Sequence, residues 1–282
     1  PRQGGRPPPR ATASHRLSTP VPARPDAWAA YFYPGTATLR NIPGITDPDE
    51  LREFEYAATA RRQRHLDREP SLIERTYDAR HLRAIHHYLF QDVYDWAGQY
   101  RTVNMVKNPA APPFADADGE QIDRYLADAH RIITTTDWPA LDHRAFAEAA
   151  ATVFAHVNQA HPFREGNGRA SKAFMDHIAD LSPYEFDFAR VERSDWNRAS
   201  ELSRPDLGAY PVHPDLLVPV FEAIAERRPA ALGAPEQSLG RVRRLYDLIS
   251  SQPTDRAPQN SQRRATSPPQ APRRRRPMGP RL

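Results

Sequence analysis

The sequence predicts an all-α protein with one β-leaning hairpin, on three observations. Through the middle of the chain, apolar residues recur every three or four positions, the period of a helix with one buried face. Asp, Pro and Gly stand where such helices would start and stop. One stretch, Gln99 to Gly119, breaks this pattern with alternation and a proline-rich turn.

The first helix opens at Asp47 as N-cap, with Pro48 at the first helical position and Glu50 three residues after the cap. Leu51, Phe54 and Ala58 then share a face. Asp78 to Gly98 puts Leu82, Ile85, Leu89, Val93 and Trp96 on one stripe, with Gly98 as the stop. Gly119 to Thr136 repeats the spacing with Ile122, Leu126, Ala129 and Ile133, and Leu141 to His161 with Phe146, Ala150, Val153, Phe154 and Val157. Further helices are expected near Ser171–Ala179, Arg193–Leu202, Pro214–Glu226 and Leu239–Ser250. In Gln99–Gly119, the run Tyr100–Val106, a Pro-rich turn and "PFADA" read as a two-strand hairpin. A lone hairpin is marginal in water, so it must rest on helices and leave one edge exposed.

Composition bounds the rest. Apolar residues make up 39% of 282, enough for a core, while 30 prolines are many for a compact fold. With no cysteine there is no disulfide framework and no thiolate metal site, which fits a cytoplasmic protein. No apolar run approaches the ~20 residues of a membrane span. The net charge of +4 hides a division. Residues 1–25 hold five arginines and no acid, and residues 241–282 hold eleven arginines and two aspartates, which leaves residues 26–240 at about −10. Residues 1–25 and 251–282 are dense in Pro and Arg and read as disordered. Their arginines are either solvated tail, a nucleic-acid contact or a translocation signal. No aromatic residue interleaves the final run, which weighs against binding single strands by stacking.

The stretch "HPFREGNGRASK", His161 to Lys172, carries the chemistry. It joins an apolar helix to the next helical segment. Gly166 and Gly168 lack Cβ atoms, so backbone N–H groups can approach a ligand. Together with a helix N-terminus they form an anion site suited to phosphate. Arg169 adds a cation. Glu165 inside a phosphate cradle makes sense with a bridging cation, and Mg²⁺ is bound in that way. His161 is suited to taking a proton from a hydroxyl. Each element alone is commonly structural; Phe163 anchors the loop in the core.

The nonapeptide "HPFREGNGR" resembles the signature of the Fic (filamentation induced by cAMP) family, His-x-Phe-x-(Asp/Glu)-Gly-Asn-Gly-Arg, in every position. "YPGTATLRNIPGITDPDELREFE" and "VYDWAGQYRTVN" resemble the opening and the flap region of bacterial Fic toxins, and the likeness covers about residues 31–202, extending toward 228. It implies a Fic domain over 26–228, a helical bundle with a β-hairpin flap over the active site, and leaves a helical extension over 229–250. It implies a protein adenylyltransferase that moves AMP from ATP to a Ser, Thr or Tyr hydroxyl of a target protein. By position, His161 is the general base, Glu165 holds Mg²⁺, and Gly166, Asn167 and Gly168 surround the α- and β-phosphates. Phe163 belongs to the same nucleotide loop, and Arg169 contacts the β- and γ-phosphates. The flap, Thr102, Val103, Asn104 and Met105 with Pro113, Phe114 and Ala115, grips an extended target segment by strand addition.

Lys172 departs from the family, where a second arginine steadies the γ-phosphate. The chain has two lysines, Lys107 and Lys172, so this one is not background usage. The family's inhibitory motif, (Ser/Thr)-x-x-x-Glu-(Gly/Asn), is absent: among the glutamates, Glu165 alone precedes Gly and none precedes Asn. A separate small antitoxin would therefore supply that glutamate, and DNA gyrase or topoisomerase IV is the candidate target. Three alternatives stand beside this reading. One is transfer of UMP or a bare phosphate, which the intact Gly168 disfavours. Another is an inactive binding module with nucleic-acid-binding tails. The third is a secreted or conjugatively transferred effector acting in another cell.

Overall fold

A computed structural model describes residues 27–107 and 112–229. Seven helices are described: α1 (Pro48–Arg68), α2 (Ala79–Phe90), α3 (Gln121–Thr135), α4 (His143–Ala160), α5 (Asn167–Ala179), α6 (Arg193–Leu202) and α7 (Val218–Ile224). Two short strands, β1 (Tyr184–Phe186) and β2 (Ala225–Arg227), pair antiparallel with Tyr184 opposite Arg227. The expected helix Leu239–Ser250, nearly all of the extension 229–250 and both Arg/Pro-rich ends lie outside the described residues. Among the described residues no helix is long and apolar enough to cross a membrane.

α4 is the central element and packs against α3, α5 and α7. Alanines make this possible: Ala147, Ala150, Ala151 and Ala155 are fully buried and let neighbouring helices approach closely on several sides. Asp142 caps α4 by accepting from Ala145 N–H, and Asp47 caps α1 by accepting from the N–H groups of Asp49 and Glu50. α2 lies between α1 and α5.

The structure corrects four expectations. On α1, Phe54 is exposed and Glu55 is buried, because Glu55 points inward to an arginine and a tyrosine described below. α2 ends at Phe90 rather than Gly98. Both Val93 and Tyr94 donate to Phe90 O, and the chain turns back until Gly98, at φ +80°, closes on His86 and Arg83. The helix after the loop begins at Asn167, four residues ahead of Ser171, so the glycine loop is itself the helix start. The segment Pro214–Glu226 is a 3-10 turn, then α7, then β2, which pairs with a "YEF" strand that sequence periodicity is too short to reveal.

The hairpin flap is present, held by Phe114 N–H donating to Met105 O. Its arms bond mainly to the helical body. Arg101 N–H donates to Pro162 O and Ala115 N–H to Gln159 O, while Pro112 and Pro113 have no N–H to offer.

Candidate active site

The loop is built around a helix end. His161 terminates α4 in the left-handed region, at φ +39° and ψ +57°. Its N–H donates to Val157 O, and its carbonyl accepts from Arg101 Nε at 2.8 Å. The backbone of this candidate base is therefore held from both sides. Phe163 is fully buried and stacks on His86, with ring centroids 3.8 Å apart. Asn167 staples the loop shut: its Oδ1 accepts Phe163 N–H at 2.9 Å and its Nδ2 donates to Phe163 O at 2.7 Å. The side chain is thus committed to the loop, and Asn167 can meet a ligand through its N–H. By helix geometry the N–H groups of Asn167, Gly168 and Arg169 have no intrahelical acceptor and emerge at the N-terminus of α5. From His161 to Ala170, Gly168 is the one exposed residue, so the cradle opens there. Gly166, at φ +81°, lies against Phe90, where an added Cβ would come within 2.2 Å of the ring.

His86 supports the loop from below. Gly98 N–H donates to its Nδ1 at 2.8 Å, so Nε2 carries the proton and donates to Glu165 O at 2.9 Å. Burial lowers its pKa from 6.5 to about 3, which fixes the neutral tautomer.

Beneath the loop lies a buried ion cluster. Arg169 donates to Glu55, and to Glu165 Oε1 at 3.4 Å and Thr59 Oγ1 at 3.3 Å. Its guanidinium lies 4.6 Å from the Phe90 ring centroid. Tyr94 OH donates to the other oxygen of Glu55. Burial works against the charge on Arg169, yet Glu55 and Glu165 hold its pKa above the ordinary value. Glu165 Oε1 also accepts Gly166 N–H at 3.0 Å. Lys172, three residues further on, turns elsewhere. It is buried with Nζ 5.1 Å from the Phe188 ring and 5.0 Å from Trp196. Burial lowers its pKa to about 7, opposed in part by Asp176 and reinforced by Arg193.

The flap alternates. Thr102, Asn104 and Pro113 are exposed, whereas Val103, Met105, Phe114 and Ala115 are buried. Asn104 Oδ1 accepts Ala117 N–H at 2.7 Å and ties the two arms. Tyr31 OH accepts Thr102 N–H at 3.1 Å, so the segment before α1 braces the flap. That segment also covers the loop, with Arg164 lying 4.1 Å from the Trp28 ring. Arg101 gathers the whole arrangement: besides His161 O, it donates to Val103 O at 2.7 Å and to Ala115 O.

Among the expected residues, His161, Phe163, Glu165, Gly166, Asn167, Gly168 and Arg169 converge, with Phe114 against His161. The positions that sequence reasoning missed are Glu55, His86, Tyr94, Arg101 and Arg204. Glu55 had one readable signal, an acid at the i+4 position from Leu51 on the apolar stripe of α1.

The description Fic/DOC family fits residues 76–179. A probable protein adenylyltransferase, y4lH of Sinorhizobium fredii, is 35% identical over 163 residues, 57% of this chain and 80% of its own length. The protein adenylyltransferase VbhT of Bartonella schoenbuchensis is 34% identical over 171 residues, 60% of this chain and 34% of the relative. Among solved structures, the VirB-translocated effector BepC of Bartonella tribocorum, with bound AMPPNP, superposes at a TM-score of 0.63 and 28% identity, covering 71% of this chain and 98% of that one. The N-terminal Fic domain of a Bartonella quintana effector, with bound ADP, gives 0.61 at 29% identity, covering 71% and 95%. On its loop, its fold and these relatives, the chain belongs to the Fic/DOC family.

Proposed function

We propose that this chain is a protein adenylyltransferase, moving AMP from ATP to a Ser, Thr or Tyr hydroxyl of a target protein. One observation carries the reading. A backbone-pinned histidine, a buried carboxylate and the N-terminus of α5 surround the single exposed residue of the loop, Gly168. His161 takes the proton of the target hydroxyl. The hydroxyl oxygen attacks the α-phosphorus, and the bond to the bridging oxygen breaks. Pyrophosphate leaves with the bonding electrons. The N–H groups of Asn167, Gly168 and Arg169 receive the negative charge that grows on the phosphate oxygens. Arg169 adds positive charge beneath them, whereas Lys172, turned toward Phe188 and Trp196, stands apart from the cradle.

Glu165 suits a magnesium site. Two carboxylates share Arg169; Glu55 is its closer partner, and Glu165, 3.4 Å from it, is the acid of the loop itself, beside the cradle. Mg²⁺ held there would neutralise phosphate charge, with phosphate oxygens supplying other ligands. The flap face carrying the exposed Thr102, Asn104 and Pro113 adds an extended target segment. The sequence lacks the inhibitory motif, so a separate small antitoxin supplying its glutamate completes this reading, with gyrase or topoisomerase IV as target. A second setting, delivery to another cell, is favoured by the Arg/Pro-rich ends and by neighbours described as translocated effectors.

The test uses ATP labelled with ³²P at the α- or the γ-phosphate, bacterial lysate and a His161→Ala control. A band labelled from the α-position alone, absent with His161→Ala, is expected. Label from the γ-position would mean phosphoryl transfer, and label surviving His161→Ala would remove that residue from the mechanism. Glu165→Ala should weaken magnesium-dependent ATP binding in calorimetry.

A further inference from the structure

The flap residue Phe114 does not face outward with its neighbour Pro113. Its ring lies flat on His161, with centroids 3.8 Å apart and planes 11° apart. Two cations also meet this ring, Arg204 at 4.7 Å from its centroid and Lys107 at 5.8 Å. Arg204 follows α6, is buried, and donates to Pro112 O at 2.9 Å, so one guanidinium holds both the backbone and the ring of this arm. Arg101 pins the carbonyl of His161 and also Ala115 O, next to Phe114. Gln159 Nε2 donates to Pro113 O at 3.2 Å. The second arm of the flap is therefore fixed to the same helix end that carries the histidine.

We propose that Phe114 is a positioning residue for His161: the flat stack, backed by Arg204, sets the rotation of the imidazole about its side-chain bonds and leaves the ring edge for proton transfer. A pinned backbone does not by itself fix the side-chain torsions of a histidine, and those torsions must be set for a proton to pass within hydrogen-bond reach. An imidazolium formed during transfer also lies over an aromatic face, a favourable arrangement. The inference deepens the adenylyltransferase reading and rests on it for the role of His161. It reassigns Phe114 from gripping the target to orienting the base.

Phe114→Met keeps the volume and removes the flat ring; Phe114→Tyr keeps the ring. Each is compared with wild type for label transfer from α-³²P-ATP to the acceptor found in lysate, for ATP affinity by calorimetry, and for the NMR shifts of the His161 ring protons, assigned against His161→Ala. Phe114→Met should lower kcat about 10–100-fold, the scale of a misplaced reacting group, with ATP affinity and acceptor KM within about twofold. Phe114→Tyr should keep most of the rate. The ring-current displacement of the His161 protons should vanish in Phe114→Met and persist in Phe114→Tyr. A raised acceptor KM at unchanged kcat would make Phe114 a target contact and overturn the proposal, as would unchanged His161 shifts. Should His161→Ala still transfer label, the base reading fails, while the shifts still decide whether Phe114 orients the ring.

Discussion

Arg169 and Lys172 lie three residues apart on α5, and both are buried, at 8% and 4% exposure. Their charges fare differently. Arg169 meets Glu55 and Glu165, and its pKa stays above the ordinary value despite burial. Lys172 meets the faces of Phe188 and Trp196, and burial brings it down to about 7. The helix surroundings are shared, so how closely carboxylates answer the charge sets the outcome: Arg169 donates to Glu55 and Glu165, whereas Asp176 raises Lys172 by less than burial lowers it. An arginine needs that answer less at the level of protonation but more at the level of geometry: Nη2 meets both acids while Nη1 reaches Thr59.

The buried histidines extend the comparison to groups with neutral partners. His81 Nε2 and His177 Nδ1 lie 2.9 Å apart, and Tyr77 N–H donates to His81 Nδ1. Burial lowers His81 to about 4, with Arg75 adding to it, and lowers His86 and His177 to about 3. Their folded values lie below the ordinary 6.5, so their contribution to stability is flat above pH 6.5 and falls as the unfolded chain takes up protons below it. Urea unfolding at pH 7 and pH 5 should differ by a loss on the order of 5 kcal/mol for the three groups together. Replacing all three by Gln should flatten that dependence, and a slope that persists would assign it to other groups.

Glu55→Gln probes the carboxylate side. It removes the closer partner of Arg169 and leaves Glu165 at 3.4 Å. A loss of about 3 kcal/mol in denaturant unfolding is expected, the scale of a broken buried pair. A loss under about 1 kcal/mol would mean that Glu165 alone can answer the charge.

Lys172→Met probes the aromatic side, with the opposite sign. Lys172 falls from 10.5 to about 7 on folding, so between those values the unfolded chain holds a proton that the folded chain gives up. Stability therefore rises with pH across that window, and the apolar side chain should stabilise the protein at pH 7 by about 1–3 kcal/mol. Its melting temperature should rise relative to wild type and lose the alkaline dependence. The smallest effect is expected from deleting residues 251–282, which contain no residue of the His161–Lys172 stretch: label transfer should match the full chain. Loss of transfer would give that segment a role in the folded domain.

What was legible in sequence follows from how far apart the partners stand. The loop from His161 to Arg169 is contiguous, so it could be recognised as one motif, and α3, α4 and α6 followed from Ile122, Phe146 and the Arg193–Leu202 pattern. Glu55 reaches Arg169 across 114 positions and Arg101 reaches His161 across 60, separations at which no local period operates. α2 was overextended because Val93 fits the helical stripe and is indeed buried, but in a turn that folds back toward Glu55. Phe114 was legible as a flap residue, while its orientation toward His161 depended on Arg204 and Gln159, which belong to other elements.

The difference between the two cations of α5 can be measured directly, because the chain holds two lysines. Protein grown with ¹³C-lysine should show two sets of side-chain signals, and Lys107→Gln would leave that of Lys172. Followed by NMR across pH, the remaining signal should titrate near 7, far from the 10.5 of an ordinary lysine. A midpoint near 10.5 would mean that Asp176 or water fully offsets the burial of Lys172, and the contrast with Arg169 would fall.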